Sequence, residues 1–194
     1  MKIHPNCQIC QFYKYCKNPF MKYTGNGKLK ILIIGEAPGK DEDENNIQFI
    51  GRCGQLFRKC LKEINLDMEK DFWKTNCVRC RPINNKTPDD KVLDLCLPQL
   101  KKDIEILKPK AILCVGGIAL KNIIFRTFPN LPKKGITYYH GQIFESPKQK
   151  IKIMSIFHPS YLLRRHDKIL IDQFKNDILK LIKEIENENT IKFC

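Results

Sequence analysis

Twice in this chain a short aliphatic run ends on glycine: KLKILIIG at 28–35 and KAILCVGG at 110–117. Continuous β-branched runs of this length suit strands buried on both faces, and such strands occur in parallel sheets covered by helices. Two further runs, DFWKTNCV and KIKIMSIFHPS (150–160), read the same way. Between them lie helical patterns. QLFRKCLKEINL (55–66) places Leu56, Phe57, Cys60, Leu61 and Ile64 at helical spacing. The segment 87–107 opens with Thr87 as the expected N-cap, Pro88 at the first helical position and acids in the first turn. IALKNIIF follows the second glycine run, and about 168–187 buries Ile171, Phe174, Ile178, Leu181 and Ile185 on one face. Alternating strands and helices predict an α/β fold with a central, mainly parallel sheet flanked by helices. Ligands in such sheets bind beyond the carboxyl ends of the strands. The segments GEAPG, NCVRCRP and FHPSYLLRR are therefore expected on one rim.

A chain of 194 residues most simply forms one domain over 1–194, with 188–194 as a loose tail. Its 35 Lys and Arg against 21 Asp and Glu give a net charge of +14. That excess favours a polyanionic partner, nucleic acid before membrane, because no apolar helical stretch carries a purely basic polar face. A compositional bias toward Lys, Ile and Asn would raise the charge without any partner. No stretch reads as a signal peptide, and ILII and AILCV are far too short to span a bilayer. A cytoplasmic monomer without a membrane partner is expected, nucleoid-associated in a prokaryote. In a reducing compartment the 10 cysteines point to metal or catalysis rather than disulfides. Residues 1–28 hold CQIC without a clear period, as a segment folded around a metal would. By spacing alone Cys7, Cys10, Cys77 and Cys80 are the obvious tetrahedral zinc set.

Four blocks occur in order: GEAPGKDED…FIGRCGQLF, TNCVRCRPINNKTP with a downstream cysteine, the VGG turn, and HPSYLLR. Together they make the chain resemble the family 4 uracil-DNA glycosylases, from about Cys7 to the final helix. The resemblance implies the three-layer uracil-DNA glycosylase fold, a 4Fe–4S cluster, and removal of uracil from single- or double-stranded DNA. It places the cluster ligands at Cys7, Cys10, Cys80 and Cys96, and makes Cys77 a strand residue facing the core. Cys16 stays a rival ligand, since CQICQFYKYC could reach a metal twice. Cys53 replaces the family's usual alanine.

The same resemblance assigns the site. Phe49 would stack on a flipped uracil, Asn76 would pair with its O4 and N3–H, and Gly35 and Ala37 would line the pocket. His158 would donate to O2 as negative charge grows on the departing base. Glu36 and Glu42 would position water or balance the sugar cation, because Ala37 stands where family 1 enzymes place their water-positioning aspartate. Asn85 matches a further site residue, with Asn84 beside it as the neighbouring choice. Leu162 and Leu163 would supply the wedge that fills the gap, while Arg164, Arg165 and Arg81 would hold phosphates. The alternative is a non-catalytic iron–sulfur or zinc DNA-binding protein that kept the fold.

Overall fold

A computed structural model describes residues 4–191, and side chains as far as 187. The tail expected over 188–194 thus lies outside the described residues except for the backbone of 188–191, which continues the last helix. Five strands form one sheet among the described residues: Ile31–Gly35 (β1), Phe72–Asn76 (β2), Ala111–Val115 (β3), Ile143–Glu145 (β4) and Lys152–Ile156 (β5). Their order is β2-β1-β3-β5-β4. Each pairing is parallel except that of β4, which runs antiparallel along the β5 edge.

The helices are Pro5–Cys10 (α1), Lys40–Asn45 (α2), Arg52–Glu63 (α3), Met68–Asp71 (α4) and Asp90–Leu107 (α5). Gly116–Ala119 (α6), a π turn at Leu120–Ile124 and Phe125–Thr127 (α7) run on from one another. Ile136–Tyr139 (α8), Pro159–Arg165 (α9) and Lys168–Ile191 (α10) complete the set.

Strand alternation divides the core in two. Ile31 and Ile33 of β1 face Phe57 of α3 and Phe174, Ile178 and Leu181 of α10. Leu32 and Ile34 face Leu93 and Leu100 of α5 and Leu120 of the π turn. Full burial of such side chains contributes roughly 1.5–3 kcal/mol each, which explains why every residue of β1, β3 and β5 is buried. Helices thus cover both faces, as expected.

Two helix starts differ from the sequence reading. α3 begins at Arg52, three residues earlier, behind Gly51. α5 is capped by Asp89, whose Oδ1 accepts from Val92 N at 2.8 Å, rather than by Thr87. Thr87 instead lines the same cavity as Glu36.

Candidate active site

The loops after β1, β2, β3 and β5 enclose one cavity of about 710 Å³, within the range of small-molecule sites. Gly35, Glu36, Ala37, Glu42, Phe49, Asn76, Asn85 and His158 all line it. Sheet register accounts for the first contact. Gly35 and Asn76 are partners at the ends of β1 and β2, so the Asn76 amide folds directly over the glycine. A Cβ on Gly35 would lie 2.4 Å from Asn76 Oδ1 and 2.9 Å from Phe49 Cζ. Only hydrogen leaves room for the amide and the ring to meet there.

Phe49 is 9% exposed and has a left-handed φ of 56°. Its ring meets Phe57 edge-on at 5.9 Å, and Phe57 meets Phe174 at 5.1 Å, so an aromatic column anchors the pocket wall to the core. Glu42 closes the loop beneath. Its Oε1 accepts from Ile50 N at 3.1 Å and Gly51 N at 2.8 Å, and its Oε2 accepts from Gly39 N at 3.1 Å. Three backbone donors make Glu42 a staple of the 39–51 loop, leaving Glu36 as the less committed carboxylate. Burial raises the Glu36 carboxyl above its ordinary value, and a hydrogen bond with the Thr87 side chain opposes that rise.

His158 is the N-cap of α9. Its Nδ1 accepts from Ser160 N at 3.1 Å and lies 2.8 Å from Ser160 Oγ. With Nδ1 used as an acceptor, the neutral ring carries its proton on Nε2. Burial, helped by the positive charge of Arg164, holds the imidazole below its ordinary value, favouring that neutral form. Gly116, at φ 86°, brings the end of β3 against this histidine: a Cβ there would stand 2.9 Å from His158 Cβ. The sequence reading took Gly116 for a turn glycine and missed this approach. Thr87 was missed as well, because its place before proline reads as a cap.

Asn85 reaches the cavity and Asn84 does not line it. The Asn85 Oδ1 accepts from Arg81 Nε at 2.7 Å, so Arg81 orients a cavity residue. On α9, Arg164 and Arg165 are exposed and Leu163 is half-buried. Leu162 is placed differently. It is 1% exposed and packed among Phe157, Phe174 and their neighbours, because α9 lies on α3 with that face inward. In this arrangement Leu163 is the better placed of the two to reach a gap in the stack.

A second cavity, of about 530 Å³, is lined by Cys7, Cys10, Cys80 and Cys96 together with Arg79. α1 packs on α5, which brings the N-terminal pair opposite Cys96. Burial raises the thiols of Cys7, Cys80 and Cys96 above the usual range, Cys96 to about 11. Phe20 N lies 3.4 Å from Cys80 Sγ as a donor. No group of three or more His, Cys, Asp or Glu among the described residues is gathered closely enough for a single ion. The four cysteines instead face a space many times the roughly 30 Å³ share of one water molecule, with room for a polynuclear group. Cys77 lies outside it, wholly buried in the core, with its thiol pushed up to about 12. Cys16 does not line it either, though its side chain interacts with Cys80.

The tie between the N-terminal segment and the cavity loop is direct. Asp43 of α2, 3% exposed, accepts from Lys17 N at 3.0 Å and Asn18 N at 2.9 Å.

The fold is thus an α/β sheet whose cavity, at the strand ends, carries an amide from β2 and an imidazole from the segment after β5. A family model described as the Uracil DNA glycosylase superfamily matches residues 22–184. The chain is 33% identical over 178 residues to the type-4 uracil-DNA glycosylase of Archaeoglobus fulgidus, covering 91% of this chain and 86% of that one. It is 35% identical over 176 residues to that of Pyrobaculum aerophilum, covering 89% and 86%. Against that of Thermotoga maritima it is 35% identical over 164 residues, covering 84% and 82%. The chain belongs to the type-4 uracil-DNA glycosylases, within the uracil-DNA glycosylase superfamily. No helix among the described residues is long and apolar enough to cross a membrane.

Proposed function

We propose that this protein is a DNA-repair hydrolase that flips uracil out of DNA and cleaves its N-glycosidic bond, leaving an abasic site. The observation that carries this reading is the meeting in one cavity of Asn76 and His158, from the ends of β2 and β5, with Phe49, from the loop between α2 and α3.

Extruding the nucleotide costs a few kcal/mol, roughly, and the pocket must return that by reading the base. Stacking on Phe49 contributes about 1–3 kcal/mol. The Asn76 amide donates from Nδ2 to uracil O4 and accepts N3–H through Oδ1. Cytosine presents the opposite pair, so it meets two mismatches, and buried hydrogen-bonding sites reject such a partner by about 10⁴–10⁵-fold. As the bond loosens, positive charge grows on the sugar and negative charge on uracil O2. The Nε2–H of His158 is aimed at that oxygen, where one preorganised donor contributes about 3 kcal/mol. Glu36, ionised, orients the attacking water and balances the sugar cation. Outside the cavity, Leu163 fills the gap in the stack while Arg164 and Arg165 hold flanking phosphates, favoured by the net charge of +14.

The cysteine cavity would seat a 4Fe–4S cluster, which Cys7, Cys10, Cys80 and Cys96 would hold as thiolates. Bound there, it would supply Fe–S bonds that offset the burial of four thiolates and would tie the N-terminal segment to α5. Hydrolysis transfers no electrons, and every step above uses the chain's own residues.

The test is release of uracil from a labelled oligonucleotide bearing one uracil, single-stranded and paired, with cytosine at that position as control. Abasic sites at uracil alone are expected. Tight binding of both strands without release would favour the non-catalytic DNA-binding reading.

A further inference from the structure

Phe49 adopts a backbone conformation that its own side chain disfavours. A φ of 56° is left-handed, and a bulky residue persists there only where its surroundings over-determine it. Those surroundings can be named. Arg58, in the second turn of α3, reaches back so that its Nε donates to the Phe49 carbonyl at 2.8 Å. Its Nη2 donates to the Gln48 carbonyl at 3.2 Å and to Glu69 Oε1 at 2.6 Å. The other Glu69 oxygen accepts from Lys74, whose side chain is wholly buried in β2.

The preceding residue is held from the other side. Gln48 is 1% exposed, and its Oε1 accepts from Thr24 Oγ1 at 2.5 Å while its Nε2 donates to the Lys22 carbonyl. Gly54 lets α3 come this close, since a Cβ there would fall 2.0 Å from the Phe49 carbonyl carbon. Arg58 itself does not line the cavity. If it served only as one half of an ion pair, Glu69 would already be paired through Lys74. What Arg58 adds is a fork of donors on the two carbonyls beside the aromatic ring, which the single ammonium of lysine cannot reproduce.

We propose that Arg58 is a positioning residue for base recognition: by fixing the Gln48 and Phe49 carbonyls it holds the Phe49 ring beside Gly35 and Asn76 before substrate arrives. The inference rests on the reading of Phe49 as the stacking platform. Affinity for the flipped base is then partly determined by a side chain that never touches it.

The test is a double-mutant cycle of Arg58→Met and Phe49→Ala. It follows KM and single-turnover cleavage on a uracil oligonucleotide, and inhibition by free uracil. Arg58→Met alone is expected to raise KM and the uracil inhibition constant about tenfold, with a smaller loss of cleavage rate at saturating DNA. In the Phe49→Ala background the same substitution should change both by less than about twofold, since its effect passes through the ring. An equal loss in both backgrounds, or no loss in either, overturns the proposal. Wild-type uracil inhibition in Phe49→Ala alone brings down the stacking reading itself, and is seen without touching Arg58. Should Arg58→Met not fold, Arg58→Lys keeps the charge beside Glu69 without the fork and runs the same cycle, with the same outcomes deciding.

Discussion

Replacing Gly35 by alanine adds one methyl group at the most crowded point of the cavity. Ordinary contact begins at 3.4 Å, so the Asn76 oxygen, at 2.4 Å from the new carbon, must retreat by about 1.0 Å, and the Phe49 ring tip, at 2.9 Å, by about 0.5 Å. Both are side chains at the edge of a cavity, so they can move without disrupting the sheet, and Gly35 is not among the positive-φ glycines. A misplacement of about 1 Å in a binding group costs on the order of 100-fold, or about 2.7 kcal/mol. The loss should fall mainly on KM for a uracil oligonucleotide, because recognition is displaced and the leaving-group donor is not. Stability falls by no more than about 2.6 kcal/mol. Alanine restricts the unfolded chain by about 0.4–1 kcal/mol, against overpacking of about 1–3 kcal/mol. The assay is kcat and KM for uracil release beside a thermal melt. Wild-type kcat/KM in G35A, or a loss explained by a fallen melting temperature, would refute the reasoning.

Activity should fall on the acid side as Glu36 takes up a proton, and because burial raises that carboxyl the limb lies above the ordinary glutamate range. Thr87→Val removes the opposing hydrogen bond and should move the limb higher, Glu36→Gln should abolish it, and a pH–rate profile decides. His158, held below its ordinary value, stays neutral through pH 7 and adds no limb there. Cys7→Ser or Cys96→Ser should lose iron and broad visible absorption, while Cys77→Val and Cys16→Ser keep both, as read by iron analysis of the purified protein. Leu162→Ala should cost about 2–5 kcal/mol of stability as a core truncation and leave DNA affinity unchanged. Leu163→Ala should reduce cleavage of duplex more than of single strands, and paired melts and cleavage rates distinguish the two leucines.

The buried strands were legible because a strand covered on both faces leaves no polar alternation to misread: ILIIG and AILCV became β1 and β3 with burial throughout. The three-residue β4 was not. IFE is half-exposed at the sheet edge, too short to show a period, and is defined by its pairing with β5. The cap of α5 was misread for a related reason. Thr87, Asp89 and Asp90 are all competent caps in sequence, and only the fold reveals that Asp89 takes that place while Thr87 lines the cavity with Glu36. Leu162 and Leu163 are adjacent and chemically identical. Which of them faces α3 depends on the angle at which α9 leaves His158, a tertiary quantity without a local signal. The motif residues around the cavity were legible through resemblance rather than composition. Arg58 and Gly116, which act by supporting those residues, carry no motif of their own.

The two glycines at the ends of neighbouring strands, Gly35 closing β1 and Gly116 following β3, should separate recognition from cleavage. Gly35 crowds Asn76 and Phe49, whereas the nearest atoms to Gly116, one strand across the sheet, are those of His158. Alanine at 116 would incur about 1–2 kcal/mol for its left-handed backbone, and its Cβ would stand 2.9 Å from His158 Cβ. That carbon is rooted in the backbone, so no rotamer change relieves the contact. The end of β5 must move by about 0.5 Å, the difference from 3.4 Å, and carry Nε2 away from uracil O2. The expected result is a fall in single-turnover cleavage at saturating DNA of about tenfold, with KM nearly unchanged. G35A shifts the opposite parameter. If both variants instead lowered the same constant to the same extent, the amide, the ring and the imidazole would be acting as one unit, and assigning binding to β1 and β2 and bond-breaking to β5 would be wrong.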